Sequence, residues 1–278
     1  MFIGLSMWSF EKDAFMRKLS VADFIRYAAK EGYAAVELLD CFLRETDEEI
    51  LAVKKLAAEC GIRIGCYSIG NDFAQRDEPV RKQQVGYVKK GIQTAAKLDV
   101  PVLRVFGGSQ KDGITYEQAL PWIVEGFRAC VPLAEEKNIV MAMENHGTLS
   151  GSARQVLEII KKVGSSKFGA AVDLGNFLLV DEASNESVKK VLRYVKHVHC
   201  KDFAPAPADE TRVFTSLAGK KYAGCVLGEG VANVGASLRL LKKQKFSGMI
   251  SIEYEGLEPA SAGVPRSLAF VKKIRIGI

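Results

Sequence analysis

The sequence predicts an α/β protein folded as a (β/α)8 TIM barrel, with residues 1–278 forming a single domain. Two observations carry this. Short apolar runs alternate from end to end with longer amphipathic stretches, and each kind occurs eight times. The runs are apolar throughout and often β-branched, as strands buried on both faces must be. A third observation disfavours the open, doubly wound sheet. The first run ends Ser6-Met7-Trp8-Ser9 and lacks the glycine-rich phosphate turn that usually follows the first strand of that fold.

In chain order the expected strands are FIGLSMW, YAAVELL, IRIGCYSIG, VLRVFGG, IVMAMEN, GAAVDLG, VKHVHCKD and MISIEYEG. The expected helices cover 21–30, 48–59, 80–98, 116–137, 153–163, 186–195, 234–244 and 265–274, where apolar residues recur at helical spacing. Thr46-Asp47-Glu48-Glu49 reads as a capping box, and Pro79 and Pro265 suit first-turn positions. Gly32, Gly61, Gly164 and Gly248 follow helices closely, where a left-handed residue commonly ends a helix. The longest stretch without an assignment is 203–230. A long loop on the catalytic face of a barrel is usually a lid or a substrate wall.

Hydrophobic content of 48% and charged content of 26% in 278 residues suit one large domain with a full core. The formal charge of +6 is moderate and its lysines and arginines are spread over helices, so they read as solvated outer faces. Nucleic acid is not an expected partner. Six cysteines without a CxxC pair read mainly as buried thiols in a reducing compartment. The N-terminus has no basic, cleavable leader pattern, and no apolar stretch reaches the roughly 18–20 residues of a membrane helix. The expectation is a cytoplasmic protein without membrane contact.

The chemistry concentrates at strand ends. Glu144, Asp173, His199 and Glu253 each close an apolar run, and in a barrel of parallel strands such positions share the catalytic rim. Singly, each suits an ordinary structural role: an ion pair, a turn, a satisfied core histidine. Together they are charged intrusions into buried strands, which cost several kcal/mol unless paired. One shared divalent cation accounts for all four. Three carboxylates and one imidazole suit Mn, Mg, Co or Zn without choosing among them. Three carboxylates leave negative charge after one divalent ion, and Lys201 can offset it. Strand alternation puts His197, His199 and Lys201 on one face, and Glu253 with Glu255. Arg104 is either a substrate contact or a salt-bridge partner of Glu37. His146 shares a face with Glu144 and is a candidate substrate contact. Trp8, Phe73 and Phe106 form either an apolar wall for a sugar ring or part of the core, and Glu229 serves a turn or a nearby arginine.

MENHG, VDLGN, HVHCKD, GEG and SIEYEG occur in an order and spacing that resembles the xylose-isomerase-like barrel superfamily, in its sugar phosphate isomerase/epimerase branch, over essentially the whole chain. The resemblance implies that Glu144, Asp173, His199 and Glu253 bind one metal ion. It also implies that Glu144 and Glu253 are the catalytic acid/base pair on opposite faces of a substrate enediolate. Two departures stand out. Epimerases of the tagatose type carry a histidine three residues after the aspartate, where this chain has Asn176, and an arginine six residues after the metal-binding histidine, where it has Pro205. Asn176, Lys201, His146, Arg104 and Trp8 are the candidate substrate contacts, and Arg212 could replace the missing arginine from the same loop.

The expected function is a metal-dependent isomerase or epimerase acting on a small-molecule sugar, sugar phosphate or polyol ketone. The alternative is a dehydratase-type lyase on a keto-inositol, with His146 or Lys201 as the acid for departing hydroxide. A repair nuclease like endonuclease IV fits less well, because its three-zinc site needs several histidines and the chain has three in all. A non-catalytic carbohydrate-binding barrel has no need for two flanking glutamates. By family analogy, barrels of this kind often associate as homodimers or homotetramers.

Overall fold

The eight apolar runs become eight parallel strands in a computed structural model that describes residues 1–274. β1 (Phe2–Ser6), β2 (Ala35–Leu39), β3 (Arg63–Ser68), β4 (Val102–Val105), β5 (Val140–Glu144), β6 (Phe168–Asp173) and β7 (Val195–Cys200) pair in sequence order. The chain then makes three short strands outside the barrel, β8 (Phe203–Pro205), β9 (Phe214–Thr215) and β10 (Lys221–Gly224), which form an antiparallel sheet in the order β8-β10-β9. It returns through β11 (Met249–Ile252), which pairs with β7 on one side and β1 on the other and closes the barrel.

The helices are α1 (Glu11–Phe15), α2 (Val21–Lys30), α3 (Asp47–Glu59), α4 (Glu78–Lys97), α5 (Tyr116–Glu136), α6 (Ala153–Val163), α7 (Ser184–Val191), α8 (Val234–Lys243) and α9 (Ala260–Lys273). Local chemistry explains several boundaries. Ser20 with Asp23, Thr115 with Gln118 and Ser152 with Gln155 form reciprocal capping boxes, which satisfy backbone donors that no helix turn can reach. Gly164 ends α6 at φ 74°, a left-handed position that a Cβ would strain. α6 turns Val156, Ile159, Ile160 and Val163 toward the barrel.

Four expectations are corrected. Thr46 accepts from the Glu49 amide, but the return half of the box is not made. Pro265 lies inside α9, because that helix begins five residues earlier than its apolar stripe. The left-handed residue after α8 is Lys245 (φ 59°), not Gly248. The expected helix over 186–195 ends at Val191 and continues as one 3-10 turn before β7.

The lower barrel is plugged by Met249, packed in a cluster with Ala35 and Cys66. A Cβ on Gly4 would lie 2.0 Å from its Cε, and one on Gly65 would lie 2.5 Å from its Sδ, so the two glycines make room for this side chain. The interior is therefore packed below and polar above, which leaves the C-terminal rim for chemistry. No helix among the described residues is long and apolar enough to cross a membrane. Cys66, Cys130 and Cys200 are buried, whereas Cys41 is exposed and Cys60 and Cys225 are half-buried; all six are free thiols.

Candidate metal centre and substrate pocket

Strand register brings the four expected donors together. Asp173 lies opposite His199 in the β6–β7 pair, and Glu144 and Glu253 close in from the ends of β5 and β11. One atom from each of Glu144, Asp173, His199 and Glu253 lies within 4.8 Å of all the others, and all four residues are buried. His199 Nδ1 is 3.2 Å from Glu144 Oε2 and 3.6 Å from Glu253 Oε2.

Neighbouring groups aim these donors. Asp173 Oδ1 accepts from the backbone amides of Gly175 and Asn176 (2.8 and 2.9 Å), which begin a 3-10 turn at Asn176–Val180. The Asn145 side chain clasps the Asp173 backbone on both sides, accepting from its amide (2.7 Å) and donating to its carbonyl (2.9 Å). Asp173 Oδ2 is left buried without a hydrogen bond. His199 is set in the same way. Its Nε2–H donates to Glu37 (2.9 Å), which leaves Nδ1 as the lone-pair atom, also buried without a hydrogen bond. Neither atom makes a hydrogen bond, although Lys201 Nζ lies 3.2 Å from Asp173 Oδ2 and Glu144 Oε2 lies 3.2 Å from His199 Nδ1, and four converging donors of this kind are what a metal ion would satisfy, so the residues present fit the group.

The electrostatics agree. Burial pushes the Asp173 carboxyl up to about 7, and Lys201 only partly offsets it. Burial also disfavours the Glu144 carboxylate, but His199 and Arg104 outweigh it and hold the pKa well below the usual range. Burial lowers the His199 pKa, yet Glu253, Glu37 and Glu144 together raise it well above its ordinary value. Nδ1 is thus a place where positive charge, as proton or as metal ion, is strongly stabilised.

Glu37 does not pair directly with Arg104. It accepts from His197 (3.2 Å), His199 and Ser68, and the two imidazoles outweigh burial and keep it ionised. Glu37, His197 and His199 form a second cluster of potential donors, in which the two Nε2 atoms and the Glu37 carboxylate are already bonded to one another. Arg104 instead places Nε 3.3 Å from Glu144 Oε2, donates Nη1–H to the Ile69 carbonyl and lies over the Phe106 ring at 4.1 Å. One composition of charges suited either pairing, and only the register of β2, β4 and β5 decides between them.

Above the donors opens a cavity of about 390 Å³. Trp8, Arg104, His146, Asn176, Lys201, Glu144 and Glu253 all line it, so every expected substrate contact reaches this space. Asn176 donates to Glu144 Oε1 (3.1 Å), and His146 packs its ring 4.8 Å from Phe106. Phe73 does not line the cavity; it is core, edge-on to Phe127 at 4.9 Å. Arg212 lines a neighbouring cavity, where it donates to the Leu257 carbonyl. Glu229 pairs with Arg266 on the surface.

Two expectations gain contacts that the sequence did not show. Glu255, on the strand face of Glu253 and so expected toward the site or its rim, holds Lys201 at 2.8 Å and accepts from Trp8 Nε1 at 2.6 Å. The loop 203–230, expected as a lid or substrate wall, carries the β8-β10-β9 sheet, and its Phe214 forms part of the cavity wall. Asp202 anchors that excursion by accepting from the amides of Phe203, Gly228, Gly230 and Ala232, which explains the GEG segment as a turn folded around a carboxylate.

Known proteins share this architecture. An inosose dehydratase of Clostridium perfringens is 25% identical over 178 residues, 63% of this chain; the match spans only 58% of that enzyme's length. A D-tagatose 3-epimerase-like protein superposes with a TM-score of 0.77 at 21% identity, covering 99% of this chain and 97% of the other. The IOLI protein, solved with a zinc atom bound, superposes with a TM-score of 0.79 at 17% identity, again over 99% and 97%. At these identities the two superpositions speak for the fold. Residues 25–274 match the family model described as "Xylose isomerase-like TIM barrel". The chain belongs to the xylose isomerase-like TIM barrel family.

Proposed function

We propose that this protein is a divalent-metal-dependent isomerase or epimerase of a sugar or related polyol ketone, with Glu144 and Glu253 as its acid/base pair. The observation that carries the reading is the four-donor group at the floor of the cavity, with two of its glutamates also lining that cavity. A divalent ion held by Glu144, Asp173, His199 and Glu253 would polarise a carbonyl and an adjacent hydroxyl as a Lewis acid.

The chain's own residues supply the proton traffic. Glu144 is held ionised and can accept the proton from the carbon beside the carbonyl, leaving an enediolate. Arg104 and Asn176 fix its two oxygens, so the carboxylate enters the reaction already oriented. Glu253, oriented by Lys201 at 2.8 Å, enters this step carrying a proton and gives it to the opposite face or to the neighbouring carbon, after which Glu144 releases its proton and Glu253 regains one by exchange with solvent. The first outcome is epimerisation and the second isomerisation. The roles of the two glutamates exchange with the direction of reaction. Asn176, His146 and Trp8 contact the substrate, and Phe106 and Phe214 exclude water around its ring.

A dehydratase is the second reading, favoured by the similarity to the inosose dehydratase. It uses the same first proton transfer, after which a hydroxide leaves with a proton from His146 or Lys201, both of which line the cavity. The test common to both is carbon-bound hydrogen exchange. Protein supplied with Mn, Co, Zn or Mg is incubated in D2O with ketohexoses and with keto-inositols, and the products are read by NMR. Deuterium beside the carbonyl with skeleton retained supports the isomerase. Loss of water supports the lyase. Absence of both exchange and water loss across the panel would remove the enediolate reading.

A further inference from the structure

A second cavity, of about 770 Å³, adjoins the one above the donor quartet. It is lined by α1 with the segment that follows it and by the turn after β2. Phe15, Asp40 and Cys41 line both spaces, so the two are contiguous. Aromatic rings run across the junction. Trp8 lines the inner cavity, Phe42 the outer and Phe15 both, and the Phe15 centroid lies 6.2 Å from that of Trp8 and 4.9 Å from that of Phe42. Phe15 is 59% exposed, and α1 buries none of its residues. This ring is therefore not part of the core, and its open surface stands at the mouth of a site. The outer cavity also holds polar groups that the chain leaves unused. Arg17 and Arg44 are exposed, and neither guanidinium makes an ion pair or hydrogen bond among the described residues. Asp40 spends Oδ2 on the Gly70 amide and the Tyr87 hydroxyl, which leaves Oδ1 free to accept. The Glu49 carboxylate is a second free acceptor in the same lining.

We infer that the outer cavity is a subsite for a second sugar ring, and that the substrate is a keto sugar carried in a disaccharide or longer glycoside. The inference rests on the proposed reading of the inner cavity as the place where the keto sugar reacts. A pyranose ring has C–H bonds on its faces and hydroxyl groups around its edge. The faces suit Phe15 and Phe42, whose exposed rings would lose water on contact. Each guanidinium is a planar fork of donors and can serve two neighbouring hydroxyl oxygens, while the carboxylates of Asp40 and Glu49 accept from hydroxyl hydrogens. The two arginines and two carboxylates balance, so the lining has no net charge with which to select a phosphate. The glycosidic link crosses at Phe15, the one aromatic ring that lines both spaces. A lone monosaccharide in the inner cavity leaves all of these groups unused.

Titration calorimetry on the Mg-supplied protein tests this with matched probes. D-Fructose is compared with its 4-O-, 5-O- and 6-O-glycosides lactulose, leucrose and isomaltulose, and 3-ketoglucose with 3-ketosucrose. At least one disaccharide is expected to bind about tenfold or more tightly than its parent monosaccharide. In the variant carrying Arg17→Gln and Arg44→Gln together, the ratio of the two affinities is expected to fall to within about twofold of one. Both side chains are exposed and unpaired, so the variant keeps the fold. Disaccharides that bind no more tightly than their parents would overturn the inference, as would no binding by any disaccharide. A gain in affinity that survives the double substitution would overturn it too. Failure of the catalytic reading looks different. A disaccharide that binds more tightly, loses that gain in the variant and exchanges no C–H with D2O removes the isomerase and leaves the subsite standing. Monosaccharides that exchange while disaccharides gain nothing remove the subsite and leave the isomerase.

Discussion

Glu253→Gln and Glu144→Gln are each expected to lower kcat by about 10²–10⁴-fold while leaving the circular dichroism spectrum unchanged. The amide keeps the volume of the carboxylate and one oxygen that can accept from Lys201 or Asn176, so packing around either position survives. It cannot take up a proton from carbon. Because both residues also sit in the donor group, metal content is measured beside kcat. A variant that retains its metal and loses turnover isolates the proton transfer. Near-full activity in either variant on a confirmed substrate would end the two-glutamate mechanism.

Lys201→Met is expected to cost about 3–5 kcal/mol of stability before metal is added, a fall in Tm of roughly 6–15 °C. Lys201 is buried among Asp173, Glu253 and Glu255, and methionine fills similar volume without charge. Three buried carboxylates then face one another with less compensation. Addition of a divalent ion should recover much of the loss, since the ion neutralises two of the same three groups. Thermal melts with and without metal read both quantities. A variant as stable as the native chain without metal would show that Lys201 is not what balances the rim.

The barrel was legible because its signals are local. Each of the eight strands lies within or beside an apolar run, and the helices between them carry the expected stripes with boundaries shifted by a few residues. The donor quartet was legible for a related reason: a charge at the end of a buried strand is costly unless something at the rim compensates it, and strand alternation fixes its face. What the sequence concealed depends on distance in the chain. Glu37 meets His197 and His199 across 160 residues or more, and Arg104 chooses Glu144 over Glu37 only when the barrel closes. The bond from Trp8 to Glu255 joins the first and last strand ends, which adjoin only because β11 pairs with β1. The short α1 and the β8-β10-β9 sheet have too few residues to show a period.

Elemental analysis of the purified native protein beside Asp173→Ala tests the metal centre most directly. Asp173 is the choice because its Oδ2 is buried without a hydrogen bond, beside the Lys201 ammonium at 3.2 Å, and its other oxygen serves only the following turn. About one equivalent of Mn, Co, Zn or Mg in the native protein, lost in the variant, is the expected result. No metal in either protein, even after reconstitution, would contradict it and would favour a barrel that binds carbohydrate without catalysis.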